Sequence, residues 1–191
     1  SGNNITNNSQ GIYLEAGFLV WTTNVFSGNN ITNNIDGIRL VSASSNNITG
    51  NIIANNTYCG VLLEDVSLSN NVFGNNITEN NRGIYLDNSN SNKIYHNNFI
   101  NNTMQAGSQL GNTWDDGYPS GGNYWSDYAG EDEFGGPDQN VAGSDGIGDT
   151  HYVVNELNHD RYPFMTYAVP LHGKVIVNGT YGLNTTIYEI R

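Results

Sequence analysis

The chain has 191 residues, of which 18 are acidic and 6 basic, for a formal charge of −12 and a pI near 4.3. That balance argues against nucleic acid and anionic membrane as partners and favours cations. No apolar run reaches the roughly 20 residues of a membrane span, so no membrane insertion is expected, and the single Cys59 allows no intrachain disulfide and reads as a packed core residue.

From the first residues onward the chain repeats itself. GNNITNNSQGIYLE begins at Gly2, GNNITNNIDGIRLV at Gly28, GNIIANNTYCGVLLE at Gly50, GNNITENNRGIYLD at Gly74 and HNNFINN at His96, with starts 26, 22, 24 and 22 residues apart. Periods of this length, rich in glycine and asparagine, are too short for the helical repeats and fit one solenoid coil each. Apolar and polar residues alternate in Gly-Ile-Tyr-Leu-Glu, the period of a strand with one buried face.

Stacking the coils predicts three apolar columns: Ile5, Ile31, Ile53, Ile77 and Phe99; Ile12, Ile38, Val61 and Ile84; Leu14, Leu40, Leu63 and Leu86. Two further columns are asparagine alone: Asn3, Asn29, Asn51, Asn75 and Asn97, and Asn8, Asn34, Asn56, Asn80 and Asn102. Asparagine suits left-handed turn positions, and stacked amides hydrogen-bond from coil to coil. The predicted fold is all-β, a right-handed parallel β-helix over residues 1–102. The chain begins inside the repeat with no preceding cap, so end-to-end stacking with another coil or a second copy is expected at its first strands.

These coils resemble the parallel β-helix repeats of carbohydrate-active proteins and of the NosD family. The same scaffold carries enzymes, adhesins and inert spacers, so the resemblance implies a fold rather than an activity. The family name points to copper, whose sites gather His, Met or Cys. In this sequence His96, His151, His159, His172, Met104, Met165 and Cys59 are scattered, and no copper site is expected.

After Asn102 the composition turns acidic, aromatic and glycine-rich, and residues 103–165 are read as a C-terminal cap. GGNYWSDY, DGIGDTHY and DRYPFM within it resemble the tail that follows the repeats in archaeal and bacterial NosD-like surface proteins. Trp114, Tyr118, Tyr124, Trp125, Tyr128, Tyr152 and Tyr162 are expected to cover the open end of the core. Nine carboxylates and no lysine or arginine lie between Asn112 and Asp149. Calcium takes six to eight oxygens from such loops, and the expected ligands are Asp138, Asn140, Asp145 and Asp149, with Asp132 as a fifth; the alternative is a solvated acidic turn. Residues 166–191, with Val175-Ile176-Val177 and a strand-like stretch near Ile187, read as a hairpin or linker.

On the strand after each repeat glycine, Tyr13, Glu15, Arg39, Glu64, Tyr85 and Asp87 point outward on one face. Tyr13 and Tyr85 suit a neutral glycan, with Glu15 and Arg39 beside them as further ligand-binding residues. Glu64 and Asp87, on adjacent coils, are the alternative catalytic pair of a retaining neutral-polysaccharide hydrolase. The expected role is a non-catalytic extracellular or cell-surface module, stabilised by calcium, that binds a glycan or a surface protein. Outside the cell, some N-x-[ST] triplets, at Asn4, Asn7, Asn30, Asn47, Asn55, Asn76, Asn101, Asn178 and Asn184, become candidate glycan sites.

Overall fold

The computed structural model describes residues 1–17 and 23–168. The predicted tail hairpin or linker, including Val175–Val177 and Ile187, falls outside these residues from residue 169 onward, as do His172, Asn178 and Asn184. The described residues form strands β1 to β19 and no helix.

Asparagine recurs every five residues through each coil, as in Asn46, Asn51 and Asn56, or Asn70, Asn75 and Asn80. Short strands occupy the gaps, and like strands of successive coils pair in parallel to give three sheets. The first contains β1 (Asn4–Thr6), β4 (Asn30–Thr32), β7 (Ile52–Ala54), β10 (Asn76–Thr78), β13 (Asn98–Ile100) and β15 (Tyr124–Trp125). The second contains β2 (Gln10–Glu15), β5 (Asp36–Val41), β8 (Cys59–Glu64), β11 (Arg82–Leu86) and β14 (Met104–Ser108). β3 (Val25–Ser27), β6 (Asn47–Thr49), β9 (Asn71–Phe73) and β12 (Lys93–Tyr95) form the third. The result is a parallel β-solenoid.

All three predicted apolar columns are in register, and Ile31, Ile53, Ile77, Ile38, Val61, Ile84, Leu40, Leu63 and Leu86 have no exposed surface. A fourth column, Phe26, Ile48, Val72 and Ile94, lines the inside of the third sheet. Burying each such side chain stabilises the stack by about 1.5 to 3 kcal/mol, and none is buried by its own coil alone. The glycines at 37 and 60 allow the coils to approach this closely: a Cβ on Gly37 would lie 2.5 Å from the carbonyl oxygen of Gly60.

The asparagines form ladders. Asn51 donates its backbone and side-chain amides to Asn75 Oδ1 at 3.0 and 2.9 Å, and Asn75 does the same to Asn97. The second predicted column is bonded likewise, from Asn8 to Asn102. A third ladder, not anticipated, runs Asn24, Asn46, Asn70, Asn92, Asn112 and Asn158. The left-handed backbone expected of the two predicted columns falls instead on the residue just before a rung, as at Asn7, Asn33, Asn55 and Asn101. Rung residues keep ordinary backbone angles and spend their side chains on hydrogen bonds.

The solenoid sheets continue past Asn102, through β14 and β15 to Trp125. The core then closes with a stack of three rings: Trp125 lies 4.4 Å from Phe99 and 4.1 Å from Tyr152, with planes 9° and 6° apart. Trp114 is fully buried beside it. Tyr118 and Tyr162 instead pair with each other, and Tyr118 is exposed. Two hairpins complete the cap, β16 (Phe134–Gly135) with β17 (Val141–Ala142), and β18 (Tyr152–Asn155) with β19 (Asn158–Asp160).

Candidate functional site

The second sheet brings the predicted ligand-binding side chains together. Its register aligns Tyr13, Arg39, Leu62 and Tyr85 in one outward column and Glu15, Val41 and Glu64 in the next. Asp87 follows β11, its backbone amide bonded to the Leu63 carbonyl. The Tyr13 hydroxyl donates to Glu15 at 2.6 Å, which makes the phenol harder to ionise. Arg39 donates Nε and Nη2 to one oxygen of Glu64, at 2.8 and 2.5 Å. Arg82 lies 4.9 and 4.6 Å from the ring centres of Tyr58 and Tyr85. Of the alternative catalytic pair, Glu64 is therefore engaged by a guanidinium.

The same sheet buries Asp36, 5 % exposed, with Oδ1 lacking a hydrogen-bond partner. Burial raises its pKa, against the nearby Arg39 charge and the Cys59 amide. Cys59 is fully buried, and burial pushes its thiol up to about 12, so it is a packed core residue and no nucleophile.

In the acidic segment, backbone amides occupy three of the five predicted calcium ligands. Asp132 accepts from the amides of Asp145 and Gly146, at 3.0 and 2.9 Å. Asp145 accepts from Gly136 and Ile147, and Asp149 from Glu133 and Phe134. Asp138 and Asn140 are exposed. Among the described residues no three His, Cys, Asp or Glu side chains are placed to hold one metal ion. The carboxylates of Asp132, Asp145 and Asp149 thus cap turns of the acidic segment.

Alternation along the β18–β19 hairpin sends Tyr152 and Val154 towards the core and buries Asn158 and Asp160 completely. His151, Val153 and His159 point the other way. Arg161, next along the chain, clasps Asp115 through Nε and Nη2, at 2.9 and 2.6 Å. Burial of Asp115 works to raise its pKa, but the bonds from Arg161 and the Gly117 amide hold it below the ordinary value. His151 and His159 line an open groove of about 530 Å³ with Asn112, Trp114, Asp115 and Arg161.

The family model described as periplasmic copper-binding protein (NosD) matches residues 1–130, more than half of the chain. The chain belongs to the NosD family. No curated protein and no solved structure matches it.

Within the part that matches NosD, the copper-capable side chains are Cys59, His96 and Met104. Cys59 is buried as a thiol, and His96 Nε2 is bonded to the Ser120 carbonyl at 2.8 Å. Met104 stands two register steps from Cys59 across Arg82, roughly 10 Å away at strand spacing. These residues do not fit a copper centre. The pair His151 and His159, which the linear sequence leaves scattered, lies outside the NosD match.

Proposed function

We propose that this chain is a non-catalytic β-helix module of the cell envelope or outer surface, and that it binds a neutral glycan or a surface protein along the outward face of its second sheet. The observation that carries this reading is the internal pairing of that face. Tyr13 is tied to Glu15, Arg39 to Glu64, and Arg82 to both Tyr58 and Tyr85, so its aromatic surfaces and carboxylates are held in place before a ligand arrives. The periplasmic description of the family supports a place outside the cytoplasm.

For the acidic segment we read calcium as an ion that screens the capped turns rather than one held in a cage.

A library of neutral oligosaccharides tests the main reading. Binding without cleavage, weakened at least tenfold by Tyr85→Ala, is the expected result. Cleavage that disappears in Glu64→Gln or Asp87→Asn would establish the hydrolase instead.

A further inference from the structure

We propose that Asn7, Asn55 and Asn101 are acceptor sites for N-linked glycans, carried in one line along the corner between the first and second sheets. The inference rests on the placement of the chain outside the cytoplasm, and it concerns covalently attached sugar rather than a glycan bound by the second sheet.

Backbone geometry defines the corner. Asn7, Asn33, Asn55, Glu79 and Asn101 each follow a strand of the first sheet, one per coil, with φ between 52° and 62°. The next residue in each coil is a rung of the ladder that runs from Asn8 to Asn102. The residue after the rung, at Ile35, Thr57, Asn81 and Thr103, donates its backbone amide to the rung carbonyl of the preceding coil. Since the rung side chain turns inward, its two neighbours stand outward, and residues 55–57 and 101–103 run exposed, buried, exposed.

Three coils complete an N-x-[ST] triplet at this corner, from Asn7 to Ser9, Asn55 to Thr57 and Asn101 to Thr103. Asparagine suits the left-handed turn, but the fold does not demand the triplet. Glu79 makes the same turn, and Ile35 and Asn81 stand where the other coils place a hydroxyl. The side-chain amides of Asn7, Asn55 and Asn101 have no hydrogen-bond partner among the described residues, so they are free beside the hydroxyl that completes the acceptor motif. The other described triplets are engaged. Asn30 donates Nδ2 to Asn4 at 3.2 Å, Asn47 is half-buried and accepts from Asn71, and Asn76 is 3 % exposed and accepts from Asn98.

In the transfer, Nδ2 bonds to the anomeric carbon of a phosphate-activated glycosyl donor while the anomeric C–O bond to phosphate breaks. The amide gives up one of its two protons, the phosphate leaves with the bonding pair, and a separate transferase supplies the catalytic groups. Successive coils lie about 4.8 Å apart and the triplets fall on alternate coils, so each glycan has roughly 10 Å of corner to itself. A bulky, solubilising group is accommodated there without uncovering the core.

The full chain, recovered from the envelope and cytoplasmic fractions of its own cells, is digested and mapped by mass spectrometry. Sugar is expected on the peptides holding Asn7, Asn55 and Asn101, and none on that holding Asn76. Asn55→Asp and Thr57→Ala should each abolish the modification at that coil and leave Asn101 modified, and both replaced side chains are exposed, so folding is undisturbed. Sugar that survives Asn55→Asp is attached to a hydroxyl and overturns the assignment. A chain found outside the cytoplasm with all three asparagines bare, or with sugar confined to other triplets, also overturns it while leaving the placement intact. A chain found only in the cytoplasm overturns the placement, and the inference with it.

Discussion

Asn123 donates its backbone amide to Asp160 Oδ2 at 2.7 Å and its side-chain amide to the same oxygen at 3.3 Å. A carboxylate thus takes the position of the next amide in the ladder that descends through Asn75 and Asn97. Trp125 Nε1 and the Tyr162 amide also donate to it, yet complete burial pushes its pKa up to about 7.

Stability should therefore depend on pH. The folded-state pKa of Asp160 lies above its ordinary value of 3.8, so the folded chain keeps a proton that the unfolded chain releases. The contribution is complete below about pH 4 and is lost as pH rises through about 7. Asp36, raised by burial, acts in the same direction, whereas Asp115, held low by Arg161, removes stability only below about pH 4. Urea unfolding should show highest stability near pH 4 to 5, with a fall of up to roughly 4 kcal/mol towards pH 8. Asp160→Asn should flatten that fall and be less stable at pH 5, because its amide nitrogen faces the Tyr162 N–H or the Trp125 N–H.

Removing an interior rung should be costly. Asn75 is fully buried, accepts from Asn51 and donates to Asn97 and to the carbonyls of Ile48 and Phe73. Asn75→Ala leaves several of these groups buried without partners, at about 1 to 3 kcal/mol each. A total loss of at least roughly 3 kcal/mol is expected by tryptophan fluorescence in urea, against less than about 1 kcal/mol for the exposed Asn3→Ala.

The ion pair on the outward face should matter little to folding. Arg39 and Glu64 are both partly exposed, and pairs of that kind contribute about 1 kcal/mol or less. Glu64→Gln is expected to unfold within that margin of the wild type, so any loss of glycan binding in this variant reports on recognition.

Calcium should act on the cap as a screening ion. With amides on Asp132, Asp145 and Asp149, millimolar calcium and magnesium are expected to raise the unfolding temperature equally, and Asp145→Asn should lower it with or without them. A calcium-specific rise that disappears in Asp145→Asn would show a caged site instead.

The solenoid was legible because its evidence is linear. Ile31, Ile53 and Ile77 sit at the same offset from each repeat start, and the alternation around Gly37 and Gly83 marks the buried face. The third ladder was legible in principle, since Asn24, Asn46, Asn70 and Asn92 each precede a predicted rung by five residues. It hides in the sequence because its strands, VFS, NIT, NVF and KIY, vary more than the GNNIT motif does. The fate of Asp132 and Asp145 was not legible: a carboxylate that caps a turn and one that binds calcium leave the same letters. His151 and His159, eight residues apart, become neighbours only once the chain turns back at Glu156 and Leu157.

Asn158 closes the ladder that passes through Asn112, and Asp160 closes the one that passes through Asn123, so a single short strand terminates two of the three. Since a chain is made from its N-terminus, Asn112 and Asn123 emerge some 40 residues before the groups that satisfy them. Until β18 pairs with β19, the hairpin that sets Tyr152 on the ring of Trp125 is incomplete and the coils lie open at that end. The hairpin is thus a completion signal: a chain truncated ahead of it would keep every repeat and still offer an unfinished edge to the next strand it meets.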